Sequence, residues 1–589
     1  MLSPLTCPVA DTAPDAEIAR QIAAIAELEQ ALWAGGLNEA LLAPYQAAYR
    51  QLEASLVERH EERHGFVVVI PVADNPRQTR ACLDSLLELC RAFGYGGMSD
   101  GRYRKVRVLL ADDSRDAAAM AAHRALAGDF TGQGLAVEYF GLGEQLALLD
   151  SLEPAADLAG IVGVHAREAF AHKGQAMMRN IAYLRFAGMA ARDPRLLCLT
   201  VDGDQVFKVK VATPAGAREV CAVNFLYHLD EIFRRADVRV LTGKVVGDPP
   251  VSPAVMAGNF LDDVIGFLHE MARAEPGRPY GQPVLDTRGS GDAAYHDMAD
   301  LFGFRNAADA YRFHCDVPGD GRMGPSNADC FAAFSRRLHS FFHGEHPTRV
   351  TWYSHSDALA SLQPGRTVYT GNYVFRPEAL DWFIPFAPLR LRMSGPTMGR
   401  MLRAEMGGGF VAANLPMLHR RTVADTGASE FRPGILVRRG EIDLCGEFER
   451  QFHGDVMLFA MERLTERGFP GRAPEEAEID AILAAMQVEM GEKYRAWHRA
   501  IRDKLAVVQG LLGEPARWWN RADELAEARE NFRAFAANLE HNFGAGSPCL
   551  ANIASASRLA DWRARQRAAI AGFRRDREAW RRALAALAP

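Results

Sequence analysis

Asp202, Gly203 and Asp204 follow directly on the apolar run LLCLTV at residues 196–201. An apolar run ending at carboxylates reads as a buried parallel strand reaching the loop at its C-terminal edge, where α/β proteins keep their chemistry. Carboxylates there face solvent from an ordinary turn, or they supply the hard oxygens that Mg²⁺ or Mn²⁺ prefers beside a phosphate. Asp112 and Asp113 close the run KVRVLLA, where a carboxylate can bind a planar donor or a ribose hydroxyl, or cap the next helix. Lys173 precedes a helical stretch, so its ammonium and the helix N-terminus can both face a pyrophosphate; a solvated lysine needs no ligand. Arg179 reads as a solvated helix position. Gly371 and Asn372 stand in YTGNYVFR, where Asn372 can bond a sugar hydroxyl or sit in a plain turn.

The elements that must position these groups alternate. FVVVIPV at 66–72 is a β-branched strand, and 78–93 an amphipathic helix behind it. Strands are expected at 105–111, 135–140, 196–201 and 237–242, and helices at 117–128 and 175–191. Further on, 369–383 reads as strand then helix, 397–406 as helix and 407–421 as a strand leaving a glycine turn. Residues 15–60 carry helical periodicity broken near Gly35 and Gly36, and helices run from about 431 to the end. A Gly-, Pro- and His-rich region at 276–350 shows no period.

The 589 residues are too many for one ordinary core. Lys plus Arg number 68 against 74 Asp plus Glu, a net charge of −6 that gives no reason to expect nucleic acid. Nine cysteines without a framework spacing suit a reducing cytoplasm, and no apolar stretch is long enough for a membrane span.

Four segments stand in order: VVVIPVADNPRQTRACLDSLL at 67–87, LLADDS at 109–114, HKGQAMMRN at 172–180 and LTVDGDQ at 199–205. Together they resemble the nucleotide-sugar-binding half of GT-A fold glycosyltransferases, family-2-like, with some likeness to the retaining sugar-glycerate synthases. The resemblance covers 67–260 and, more loosely, 365–420. It implies an α/β, doubly wound, mixed-sheet GT-A core over 63–430, with its sugar-donor half at 63–260 and an acceptor-side insert at 276–350. A helical segment at 1–62 and a helical domain at 431–589 flank it. It implies a nucleoside-diphosphate sugar as donor substrate, a hydroxyl-bearing acceptor and Mg²⁺ or Mn²⁺, with the helical ends free to build a homo-oligomer. Pro71, Ala73, Asp112, Asp113, Lys173, Asn180 and Asp202 would surround the nucleotide sugar. Asp204, Asp202 and His419 would hold the metal, and Lys173, Asp204 and Asn372 would serve catalysis.

Inverting relatives place an acid pair after the acceptor-side strand. Here LRMSGPTMGRMLRAEM at 391–406 offers Ser394 to Thr397 and no acid before Glu405. Retention of anomeric configuration is therefore expected, with Asp381 and Asp425 as displaced bases if it fails. The alternatives are an inverting polysaccharide or protein glycosyltransferase, and a non-catalytic nucleotide-sugar-binding protein. The first loop lacks the glycines of nucleotidyltransferases and of dinucleotide dehydrogenases. Cys315, Cys330, His339, His343 and His346 offer a zinc site on irregular spacing, against an acceptor-binding insert.

Overall fold

The computed structural model describes residues 16–213, 216–248, 252–283, 312–318, 324–420, 436–438 and 441–588. Its main sheet is built from β1 (Gly65–Val72), β2 (Val106–Asp112), β3 (Ala136–Phe140), β4 (Leu196–Val201), β5 (Gln205–Val206), β6 (Val240–Gly247), β7 (Gln363–Pro364), β8 (Asn372–Phe375) and β9 (Phe410–His419). The order is β7-β9-β6-β8-β4-β1-β2-β3, with β5 beside β9. Strands β4, β1, β2 and β3 are parallel neighbours, as are β6 and β9, while β8 runs antiparallel between β4 and β6. The fold is thus a mixed α/β one with a mostly parallel sheet.

Helices cover both faces, and this is why β1 is apolar at every position. Val67 and Val69 point into one core, and Phe66, Val68, Ile70 and Val72 into the other. The second core is closed by α1 (Ala16–Trp33), α2 (Leu42–Glu58), α3 (Pro76–Phe93), α4 (Ala117–Gly132) and α6 (Phe225–Arg235). The first holds α5 (Gln175–Ala190), α7 (Pro253–Arg273) and α8 (Asn327–Phe341). It runs on without a break into α9 (Ser394–Met406), α10 (Cys445–Glu466), α11 (Glu476–Gly513), α12 (Ala526–Phe543) and α13 (Ala556–Ala586). The C-terminal helices therefore share a core with the sheet. Trp580 of α13 is fully buried and donates its indole N–H to the Leu380 carbonyl at 2.5 Å.

Most expected elements fall within a few residues of their places. The largest shift is at the start of the C-terminal helices, expected from about 431: Leu436–Arg438 and Glu441–Asp443 pair as an antiparallel hairpin, and among the described residues the first helix begins at Cys445. The strand expected at 237–242 runs over Val240–Gly247, and the helix expected after residue 376 is a short 3₁₀ turn at Pro377–Asp381. Among the described residues no helix is long and apolar enough to cross a membrane.

Candidate functional site

The exits of β1 and β2 and the entrance to α5 are stitched together at the C-terminal edge of the sheet. After β1, Asn75 caps α3 by accepting from the Gln78 N–H, with Pro76 at the first helical position. Asp74, held at φ +53°, accepts from the Arg115 and Asp116 N–H groups at 2.9 Å each and pairs with the His172 imidazole. Asp113 accepts from the Lys173 ammonium at 2.5 Å and from the Gly174 N–H at 3.1 Å. Lys173 is completely buried, 4.2 Å from the centre of the Phe170 ring. Burial pulls its pKa below the ordinary lysine value, against the opposing pull of Asp113.

Asp202 and Asp204 leave β4 in different directions. Asp202 is bonded to the Arg179 guanidinium, and Gly371 lies so close that a Cβ there would land on the Asp202 carboxylate. Burial is the largest single effect and opposes the Arg179 charge, but Asp202 together with Tyr183, Tyr373 and Tyr369 raises the arginine pKa. Asp204 turns the other way. Its Oδ2 stands 3.1 Å from Nε2 of His419, which the register of β9 against β5 places opposite Gln205. The other ring nitrogen of His419, Nδ1, is 2.7 Å from the Asp248 carbonyl oxygen. A carbonyl only accepts, so Nδ1 carries the proton, and in the neutral ring Nε2 aims a lone pair at a carboxylate oxygen. Two acceptors facing one another call for a proton or a cation. A histidine oriented by a backbone carbonyl, beside a carboxylate oxygen, is a donor set that fits Mn²⁺ or Mg²⁺.

A third wall comes from the C-terminal helices. The segment 386–393 holds Phe386, Arg390 and Met393 at φ +57°, +52° and +66°, conformations that side chains with a Cβ rarely adopt. It is fixed against α10: Arg450 Nε donates to the Arg390 carbonyl at 2.6 Å, and the Arg392 N–H donates to the Arg450 carbonyl at 3.4 Å. Gly454 permits this approach, since a Cβ there would meet the Arg392 carbonyl oxygen at 2.5 Å. Burial and the neighbouring Arg392 bring the Arg450 pKa down to about 10, with Glu447 working in the opposite direction.

These walls enclose a cleft of about 340 Å³. Of the residues the sequence singles out, Pro71, Ala73, Asp113, Lys173, Asp202, Asp204 and His419 line it, together with Arg179, Tyr369, Arg392, Ser394, Glu447, Arg450 and Gln451. Asp112, Asn180 and Asn372 do not. Asp112 is wholly buried, accepting from the His123 ring, the Tyr139 hydroxyl and the Ser114 N–H, and the helix cap expected of it is made by Asp116. Burial would raise the Asp112 pKa, but the bonds from His123 and Ser114 win and lower it. Asn180 spans 204 residues to bond both the N–H and the carbonyl of Ile384, which anchors the strained segment. Asn372 donates to the carbonyls of Lys244 and Leu415 at 2.8 and 2.9 Å, joining β6 to β9.

Other expectations are corrected. Asp202, Asp204 and His419 do not converge on one point, because Asp202 is turned to Arg179. Among the described residues no three His, Cys, Asp or Glu side chains gather to hold a metal ion. Cys315 and Cys330 form a disulfide, so they offer zinc no thiolate and depart from the thiol-only chemistry of a reducing compartment. Asp381 and Glu405 are bound by Arg577, and Asp381 also by Arg581. Asp425 lies outside the described residues. Arg179, read as solvated, is 2% exposed. Glu447 of α10, an acid that no sequence motif marks, also lines the cleft.

The fold and site define an α/β protein with a polar cleft at the C-terminal edge of its sheet. No protein-family profile matches the chain, and no curated protein matches its sequence. Among solved structures, the chain is similar to the mannosyltransferase PcManGT from Pyrobaculum calidifontis in complex with GDP-Man and Mn²⁺. That likeness has 12% identity and a TM-score of 0.31, and it covers 87% of this chain and 99% of the other. At that score it carries no argument about the chemistry of this cleft.

Proposed function

We propose that this chain is a metal-dependent glycosyltransferase that moves a sugar from a nucleoside-diphosphate sugar to a hydroxyl acceptor. The observation that carries the reading is the Asp204–His419 pair, whose carboxylate oxygen and ring nitrogen face each other at 3.1 Å on the edge of the cleft. Asp204 and His419 would hold Mn²⁺ or Mg²⁺. When bound, such an ion neutralises the charge that gathers on a departing diphosphate. Lys173 adds a second positive charge at the start of α5, fixed in place by Asp113. Arg179 holds Asp202 beside the nucleotide, and Pro71 and Ala73 form the floor beneath it.

Asn372 acts through position, by bringing together the strands that carry His419. Arg390, Arg392 and Arg450 on the far wall favour an acceptor that bears a carboxylate or phosphate. A turnover screen of nucleotide sugars, GDP-mannose among them, with Mg²⁺ and Mn²⁺ tests the reading through release of the nucleoside diphosphate. Release that needs the metal supports it. Failure of every sugar nucleotide to bind or turn over overturns it.

A further inference from the structure

Among the described residues, the carboxylate of Glu447 is the one acidic group that the C-terminal helices bring to the cleft. Glu447 lies in the first turn of α10, and with Arg450 and Gln451 it forms the face that α10 turns to the cleft, at the i, i+3 and i+4 spacing of a helix. The residue is 2% exposed, and its Oε2 is buried with no hydrogen-bond partner among the described residues. Its other oxygen is 3.8 Å from the Arg392 guanidinium, too long for a hydrogen bond. A buried carboxylate oxygen left unsatisfied is costly, and such groups in native folds usually have a ligand or a catalytic task.

The support behind Glu447 is rigid. One turn on, Gln451 donates to Asp455, which the Tyr494 hydroxyl of α11 also bonds at 2.5 Å. Arg450 fastens the backbone of α10 to the Arg390 carbonyl in the strained segment 386–393.

We infer that Glu447 is the general base of the transfer, taking the proton of the acceptor hydroxyl from the wall opposite the sugar nucleotide. This rests on the glycosyltransferase reading above. As the acceptor oxygen bonds to the anomeric carbon, its proton passes to the Glu447 carboxylate, whose side chain turns toward the cleft to receive it. The bond from the anomeric carbon to the diphosphate oxygen breaks, and its electron pair leaves with the nucleoside diphosphate. Glu447 then gives the proton to water. Attack from the face opposite the leaving group inverts the anomeric configuration.

The test uses the full chain, the sugar nucleotide it turns over fastest, and methanol as a small hydroxyl probe whose methyl glycoside does not mutarotate. Glu447→Gln keeps the shape and should lower methyl glycoside formation by about a hundredfold or more, with nucleoside-diphosphate affinity and melting temperature unchanged. Glu447→Ala should be equally slow and regain activity with added formate, which a merely structural carboxylate would not allow. The anomeric coupling constant of the native product should report inversion. Retention, or normal transfer by Glu447→Gln, would overturn the assignment while leaving the glycosyltransferase reading intact. Should the native chain release no nucleoside diphosphate from any sugar nucleotide, that reading fails and Glu447 loses its role with it.

Discussion

His419 and Asp204 are 215 residues apart in the chain and 3.1 Å apart in the fold. The pairing follows from register: β9 runs back along β5, and its last residue arrives opposite Gln205, next to Asp204. Replacing Asp204 by Asn, or His419 by Ala, should lower turnover by about a hundredfold or more and leave the melting temperature without metal unchanged. Calorimetric titration of Mn²⁺ in the presence of nucleoside diphosphate checks it. Native affinity in either variant would remove that residue from the metal site.

Lys173 and Asp113 are a buried ion pair, so breaking it from one side leaves a charge stranded. Lys173→Met should destabilise the fold by about 3–5 kcal/mol, and Lys173→Met with Asp113→Asn should recover most of that. Urea unfolding of Lys173→Met, Asp113→Asn and the double variant measures it. An additive double variant would mean that the two groups do not depend on each other.

Gly371 has no room for a side chain because the Asp202 carboxylate occupies the place of its Cβ. Gly371→Ala should cost about 1–3 kcal/mol and weaken nucleotide binding by displacing Asp202 from Arg179. Combining it with Asp202→Ala should return the stability lost to the clash. A double-mutant cycle with no coupling would show that the alanine is accommodated by some other movement.

Burial raises the Asp455 carboxyl from 3.8 to about 7, against the hydrogen bonds from Tyr494 and Gln451. The folded state therefore holds a proton that the unfolded chain has lost between those two values, and this carboxyl's contribution to stability falls as pH rises through that window. Asp455→Asn imitates the protonated form. The stability of the native chain relative to this variant should decline from about pH 4 to about pH 7, by on the order of 4 kcal/mol, and level off above. Denaturant titrations at four pH values test it. A constant difference would place the Asp455 carboxyl in its ordinary range.

The strand-end side of the cleft was legible because strand ends announce themselves: Pro71, Asp113 and Asp204 each stand at the end of an apolar run that only a buried parallel strand explains. His419 was legible for the same reason. Asp112 and Asn180 belong to the same motifs, yet they point into the protein. Motif order identifies the loop but not which of two adjacent aspartates turns outward, and that depends on His123 and Tyr139, 11 and 27 residues further on. Arg179 looked solvated because its partner, Asp202, is 23 residues away on another element. The wall built by α10 was illegible for a different reason. Glu447, Arg450 and Gln451 sit in a helix with no motif, and only packing of α10 on the segment 386–393 brings them to the cleft. That segment in turn owes its shape to three left-handed residues which no turn signature marks.

The shared core of sheet and C-terminal helices has a consequence for how the protein is made. Synthesis proceeds from the N-terminus, so the strands bearing Asp204 and His419 leave the ribosome before α10 does. A nascent chain at that stage lacks the third wall of its cleft and has a flank open to water. The enclosed cleft therefore exists only once the last helices have docked.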